Sequence, residues 1–256
     1  MKIICFEKKG DSVWHALTAV AIITFIIIKI PFLNLPYFWD EAWVYAKVAV
    51  IMWEKGPSLF PDYFLTDLTR GHPLLFHFLG AVWLKIFGNS FTALHSYVLF
   101  LSVCLLIFVY FFSAKYFSTA VGFFTTCLLI VQPPFLLQSG IFLPEIQLAL
   151  FMMLAFYGYL SGKRWLYLIA ATAMLYTKET GVLFIVSLLV WTIIEKINND
   201  KFSYVQLIKK LLFLSIPVII SSLYLIYLKL KHGWFFFPEH IGLFDLTWAN
   251  FHWKYK

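Results

Sequence analysis

Residues Val13 to Ile28 are apolar but for His15, Thr18 and Thr24, and the run stops at Lys29 and Pro31. A stretch of that length, charged only at its ends, has the form of a transmembrane helix. Residues 13–31 are therefore read as a first span. No small-residue cleavage site follows, and Lys2, Lys8 and Lys9 precede it, which places the N-terminus in the cytoplasm. Residues 32–90 then form a long outer loop of mixed polarity. Within it, 40–54 carries apolar side chains at 43, 44, 48, 51 and 52, with Lys47 and Glu54 off that face. This predicts an amphipathic helix lying on the membrane. Pro57 and Pro61 interrupt the chain, and a second apolar run opens at His72-Pro73 and closes at Phe87-Gly88. It holds His77 and Lys85 and is too short for a bilayer core of about 30 Å, so 72–88 is read as a second interfacial helix.

Beyond Asn89-Ser90 the apolar segments follow closely, at 91–112, 117–137, 142–160, 164–178, 180–195 and 209–230. The pattern predicts a single, all-α polytopic membrane domain of about seven transmembrane helices plus two interfacial helices. It has a six-span bundle over 91–230 and an outer C-terminal segment over 231–256. No internal repeat, low-complexity tract or separate soluble domain interrupts it. The charges fit this drawing. The cytoplasmic segments would hold ten cations against four acids, the outer ones ten against nine, and the inner cations sit in short loops where the positive-inside rule operates. If 72–88 crossed the membrane, Lys163-Arg164 and the 196–210 cations would all move outside.

Composition supports the same class. Hydrophobic residues make up 62% and charged residues 13% of the chain, with a mean hydropathy of +0.83, far from the balance of a soluble domain. The net charge of +7 is explained by topology rather than by nucleic acid. Cys5, Cys104 and Cys127 form neither a disulfide framework nor a metal motif.

The chemistry-bearing residues gather on one side. Asp40, Glu41, Arg70 and His72 lie in the outer loop, Glu145 at the third-to-fourth span turn, Lys178-Glu179 at the fifth-to-sixth, and Glu239-His240 after the last. Ionisable groups at membrane depth are costly, and they usually pair or line a functional cavity. Each also has a bland reading. Asp40 suits a helix N-cap and Glu41 a first turn. Arg70 and Lys178 can reach lipid headgroups, His72 can cap a helix, and Tyr37, Trp39 and Trp43 belong to the aromatic belt that bilayer interfaces enrich.

Asp40-Glu41 on a short helix after the first span resembles the acidic motif of the GT-C glycosyltransferases. The likeness is to the branch of protein O-mannosyltransferases and aminoarabinose-lipid A transferases. Arg70-Gly71-His72-Pro73-Leu74-Leu75 is similar to that branch's His-Pro-Pro-Leu element, with Leu74 in place of the second Pro. Phe87-Gly88-Asn89-Ser90, Leu143-Pro144-Glu145 and Thr177-Lys178-Glu179-Thr180-Gly181 follow in the family's order, so the resemblance covers residues 13 to 240.

It implies an inverting transfer of sugar from a polyprenyl-phosphate donor to a hydroxyl of a lipid, glycan or protein acceptor, at the outer face of the plasma (inner) membrane. Asp40, with Glu41 beside it, takes the catalytic role as general base. Arg70, His72 and Lys178 hold the polyprenyl phosphate. Glu145 orients sugar hydroxyls, and Tyr37 and Trp43 stack on sugar or line the lipid groove. No cofactor is required by this reading. A divalent metal ion stays open as an alternative, with Glu145, Glu239 and His240 as candidate ligands. Members of the family generally have more spans and an outer C-terminal domain, so a partner or further segment supplying helices is expected. A non-catalytic subunit or carrier that binds or flips polyprenyl-linked sugars also stays open. A transporter, however, concentrates ionisable groups near the bilayer midplane, and here they gather at one surface. A seven-span receptor would put the N-terminus outside, which the charges oppose.

Overall fold

Serine starts three of the long helices. Ser90, Ser118 and Ser203 are extended residues whose side chains accept the N–H of Ala93, Val121 and Gln206, satisfying a donor that the first turn leaves orphaned. A computed structural model describes residues 11–63, 66–198, 203–235 and 237–238. Among these the chain is all helical: α1 (Asp11–Lys29), α2 (Ala46–Lys55), α3 (Thr66–Thr69), α4 (Leu75–Phe87), α5 (Phe91–Tyr116), α6 (Thr119–Val131), α7 (Pro133–Gln138), α8 (Glu145–Leu160), α9 (Arg164–Thr177), α10 (Val182–Asn198) and α11 (Tyr204–His232).

Among the described residues four helical segments are long and apolar enough to cross a bilayer: Asp11–Phe32, Phe91–Tyr116, Glu179–Asn198 and Tyr204–His232. The other three expected spans are shorter. The stretch expected to run over 117–137 is broken, because Pro133-Pro134 forces Gln132 out of the helical region (ψ 123°) and restarts the chain as α7. That leaves α6 with 13 residues, about 20 Å at 1.5 Å per residue. α8 begins at Glu145 rather than 142, after an irregular turn, and α9 has 14 residues.

α5 is the organising helix. Its buried side chains face α1, α4, α6 and α8, and Leu94, Val98 and Leu106 are completely enclosed. α8 and α9 form a tight hairpin built on small residues. Ala155, Ala170 and Ala171 are buried at the contact, and a Cβ added to Gly158 would lie 2.6 Å from the Tyr167 backbone nitrogen. Gly158→Ala must therefore push two backbones apart. Overpacking of this kind costs about 1–3 kcal/mol, so a lowered thermal midpoint in detergent is expected, and an unchanged one would show that the hairpin opens freely. The outward sides of α1, α10 and α11 expose Ile23, Ile27, Leu183, Val190, Leu223 and Ile226. Such continuous apolar surface needs lipid as its solvent.

The two short loop helices pack on protein more than on membrane. Val48 and Met52 of α2 and Ala81 of α4 are enclosed against Tyr224 and Leu228 of α11. The amphipathic face expected to lie on lipid is thus part of the core, because α2 and α4 pair with each other and with the end of α11.

Candidate active site

The entry to α2 is strained. Trp39 has φ 53° and Arg70 φ 48°, the two non-glycine residues in the left-handed region among those described. Each such residue costs on the order of 1–3 kcal/mol and persists only where its surroundings over-determine it. At Trp39 the constraint is Glu41, which is 2% exposed. Its Oε2 accepts the Phe38 N–H at 3.1 Å, and its Oε1 accepts the Phe142 N–H at 2.6 Å and faces His95 Nε2, also at 2.6 Å. His95 Nδ1 lies 2.9 Å from the Leu33 carbonyl, which can only accept, so Nδ1 carries a proton. His95 Nε2 and the Glu41 carboxyl are in direct hydrogen-bond contact. One side chain thereby joins the outer loop, α5 and the turn before α8. Glu41 was expected as a catalytic acid beside Asp40; it is buried, with both oxygens engaged by Phe38, Phe142 and His95.

Asp40 is different. It precedes a π-helical turn over Glu41–Tyr45, makes no capping hydrogen bond, and is half-exposed with no partner among the described residues. The bland N-cap reading therefore does not account for it. The π turn, with its i→i+5 bonds, sets Tyr45 one wide turn below Asp40. Burial first, then the negative charges of Glu145, Glu179 and Asp40, push the Tyr45 hydroxyl above its ordinary range, while Arg70 pulls it back. Three acids and a guanidinium thus act electrostatically on one phenol. Against it stacks His77, with ring centroids 5.3 Å apart. His77 is buried, and neither ring nitrogen has a partner among the described residues.

Burial, then the nearby His72, lowers the His77 pKa from 6.5 to about 3. The unfolded chain then binds more protons, so this group's contribution is complete above pH 6.5 and is lost as the pH falls toward 3, by about 1.4 kcal/mol per unit. The wild type is expected to lose stability relative to His77→Phe as the pH drops from 6.5 to 5. Parallel unfolding curves would contradict this.

Two ion pairs complete the mouth of the site. Lys178 Nζ donates to Glu145 Oε1 at 2.7 Å, and His72 Nδ1 meets Glu179 Oε1 at 2.8 Å. Tyr224 of α11 donates to the His72 carbonyl at 2.8 Å, fixing the loop before α4. Gly71 is required there, since its φ is 74° and a Cβ would come within 3.0 Å of the Trp234 ring. Behind the mouth lies a cavity of about 280 Å³ between α9, α10 and α11. Arg70, His72 and Glu179 stand at its polar end, with Leu175, Val182, Val218 and Leu225 along its apolar walls.

The structure thus gathers Asp40, Arg70, Glu145 and Glu179 about Tyr45, with His72 and Lys178 as ion-pair partners. It does not bring Tyr37 or Trp43 to that cavity. Tyr37 packs edge-on against Phe91 and His95, its hydroxyl pushed up to about 12 by burial and then by Glu41. Trp43 is 74% exposed and points away. Glu239 and His240 lie outside the described residues. Among the described residues no group of three or more His, Cys, Asp or Glu could hold a metal ion, and Glu145 already binds the Lys178 ammonium. Tyr45, His77 and His95 were not singled out from sequence. His95 sits in an apolar span and Tyr45 five residues after Asp40, a spacing that matters only because the turn is π rather than α.

Comparison with known proteins bears on the family and the fold. The model of the dolichyl-phosphate-mannose-protein mannosyltransferase family matches residues 71–225, more than half of the chain. The apo crystal structure of ArnT from Cupriavidus metallidurans aligns with a TM-score of 0.67 at 14% identity, covering 91% of this chain and 45% of that one. The chain therefore spans less than half the length of that structure, and the likeness establishes the fold. No curated protein matches the sequence. By the extent of the family match, which runs from Gly71 into α11, this chain belongs to the dolichyl-phosphate-mannose-protein mannosyltransferase family of GT-C membrane glycosyltransferases.

Proposed function

We propose that the chain is the membrane-embedded catalytic portion of a glycosyltransferase that moves a sugar from a polyprenyl-phosphate donor to an acceptor hydroxyl, with inversion, at the outer membrane surface. The observation that carries the reading is Asp40, a half-exposed carboxylate without a partner among the described residues, next in sequence to the strained Trp39 and, with Glu145, Glu179 and Arg70, one of four charged groups that act on Tyr45. In this mechanism Asp40 takes the proton of the acceptor hydroxyl as its oxygen attacks the anomeric carbon from the face opposite the phosphate. The anomeric C–O bond breaks, and its electron pair leaves on the polyprenyl phosphate. Arg70 meets that growing charge with a planar N–H fork, a charge-assisted contact that strengthens as the bond cleaves. The ion pairs of His72 and Lys178 hold the two turns that flank the leaving group. The apolar walls between α9, α10 and α11 take the start of the prenyl chain.

Transfer of labelled sugar from a panel of polyprenyl-phosphate sugars by the purified chain tests the reading. Saturable donor binding without transfer would favour the carrier or subunit alternative, or a requirement for the partner segment. Arg70→Ala removes hydrogen bonds to a charged group, worth about 1.5–3 kcal/mol. Donor use is therefore expected to weaken by roughly 10- to 100-fold, with acceptor dependence little changed. An Arg70→Ala enzyme with wild-type donor saturation would remove Arg70 from the phosphate site.

A further inference from the structure

α8 leaves the candidate active site at Glu145 and α9 returns to it at Lys178, so the turn between them lies at the opposite end of the bundle. There a second cleft, of about 710 Å³, opens between the α8–α9 turn, the end of α10 and the start of α11. Three cations and one acid line it: Arg164, Lys209, Lys210 and Glu195. Lys210 binds Glu195 at 3.0 Å, so the acid is already engaged. Arg164 and Lys209 have no ion pair among the described residues. The Arg164 guanidinium lies 5.9 Å from the Phe213 ring centre, which orients its fork. The walls are aromatic and apolar, with Trp191 exposed on the lipid side.

We propose that this cleft is a binding site for an anionic phospholipid of the leaflet opposite the active site. A pair of cations on two different helices, without an ion pair among the described residues, matches a phosphodiester, which accepts from a guanidinium and an ammonium at once. Trp191 and Tyr159 belong where aromatic side chains meet headgroups. The depth between helices suits the first part of an acyl chain, and basic pockets of this kind on the cytoplasmic side take acidic headgroups. Bound there, the lipid bridges Arg164 of α9 to Lys209 of α11 and clamps those helices at the end remote from Arg70 and Glu179. The inference is independent of the transferase reading.

Thermal unfolding of the purified chain in a neutral maltoside detergent tests it, with dioleoyl-phosphatidylglycerol, dioleoyl-phosphatidylcholine or inorganic phosphate added. Phosphatidylglycerol is expected to raise the midpoint saturably, with half-saturation at least 10-fold below that of phosphatidylcholine, and inorganic phosphate to have no effect. The double variant Arg164→Gln, Lys209→Gln is expected to lose that preference. Lys115→Gln, which removes a cation from the same end but outside the cleft, is expected to keep it. Equal action of the two lipids, an equal shift with inorganic phosphate, a preference surviving the double variant, or the same loss in Lys115→Gln would each overturn the proposal.

Discussion

Asp40→Asn is expected to lower sugar transfer by a factor of about 10²–10⁴, the usual contribution of a positioned general base. Folded yield and thermal midpoint should stay at the wild-type level. The amide keeps the size and shape of the carboxylate, and the wild-type side chain makes no cap or pair among the described residues whose loss would unfold anything. The paired readout matters more than either part. Loss of transfer with stability retained isolates the chemistry. Retention of transfer would remove Asp40 as the base, and loss of both would mean that its carboxylate holds the loop together.

Glu41→Ala should produce the opposite pattern, with the fold failing first. Its carboxyl accepts the Phe38 and Phe142 N–H groups and is hydrogen-bonded to His95, in a pocket that leaves it 2% exposed. Removing one member of such a buried pair typically costs about 3–5 kcal/mol, because the partners stay desolvated. With Phe38 and Phe142 no longer anchored, the left-handed Trp39 also loses the contacts that enforce it. A drop in thermal midpoint of many degrees is expected, with any activity loss following from it. Glu41→Gln, which keeps the acceptor oxygen for Phe142, should recover part of the stability. A Glu41→Ala protein as stable as wild type but inactive would return Glu41 to the catalytic role first expected for it.

These two adjacent acids show how much of the site is legible in sequence. Their position after a first span, and the order of Arg70-Gly71-His72-Pro73, Pro144-Glu145 and Lys178-Glu179 along the chain, point to one side of the membrane and one family. What they cannot show is which acid faces substrate. Both are half of the same dipeptide, and the division of roles depends on His95, 54 residues away in sequence, and Phe142, 101 residues away. The aromatic residues mislead for a related reason. Tyr37 and Trp43 have the composition of a sugar platform, but neither lines the cavity behind Arg70 and His72; Tyr45, which was not singled out, follows Asp40 by one π turn.

The sequence by itself determined the solvent of this protein and its element types. Runs such as Val13–Ile28 and 91–112 are too apolar for water, and in lipid a backbone must satisfy its own hydrogen bonds, so they are helices wherever they pack. Serine caps and glycine stops then set many of the boundaries. Tertiary structure alone decided that the face of α2 turns to α4 and α11 rather than to lipid, and that Arg70, His72 and Glu179 share one cavity. Local pattern records whether a side chain avoids water. Lipid and protein core satisfy that preference equally, and only packing chooses between them.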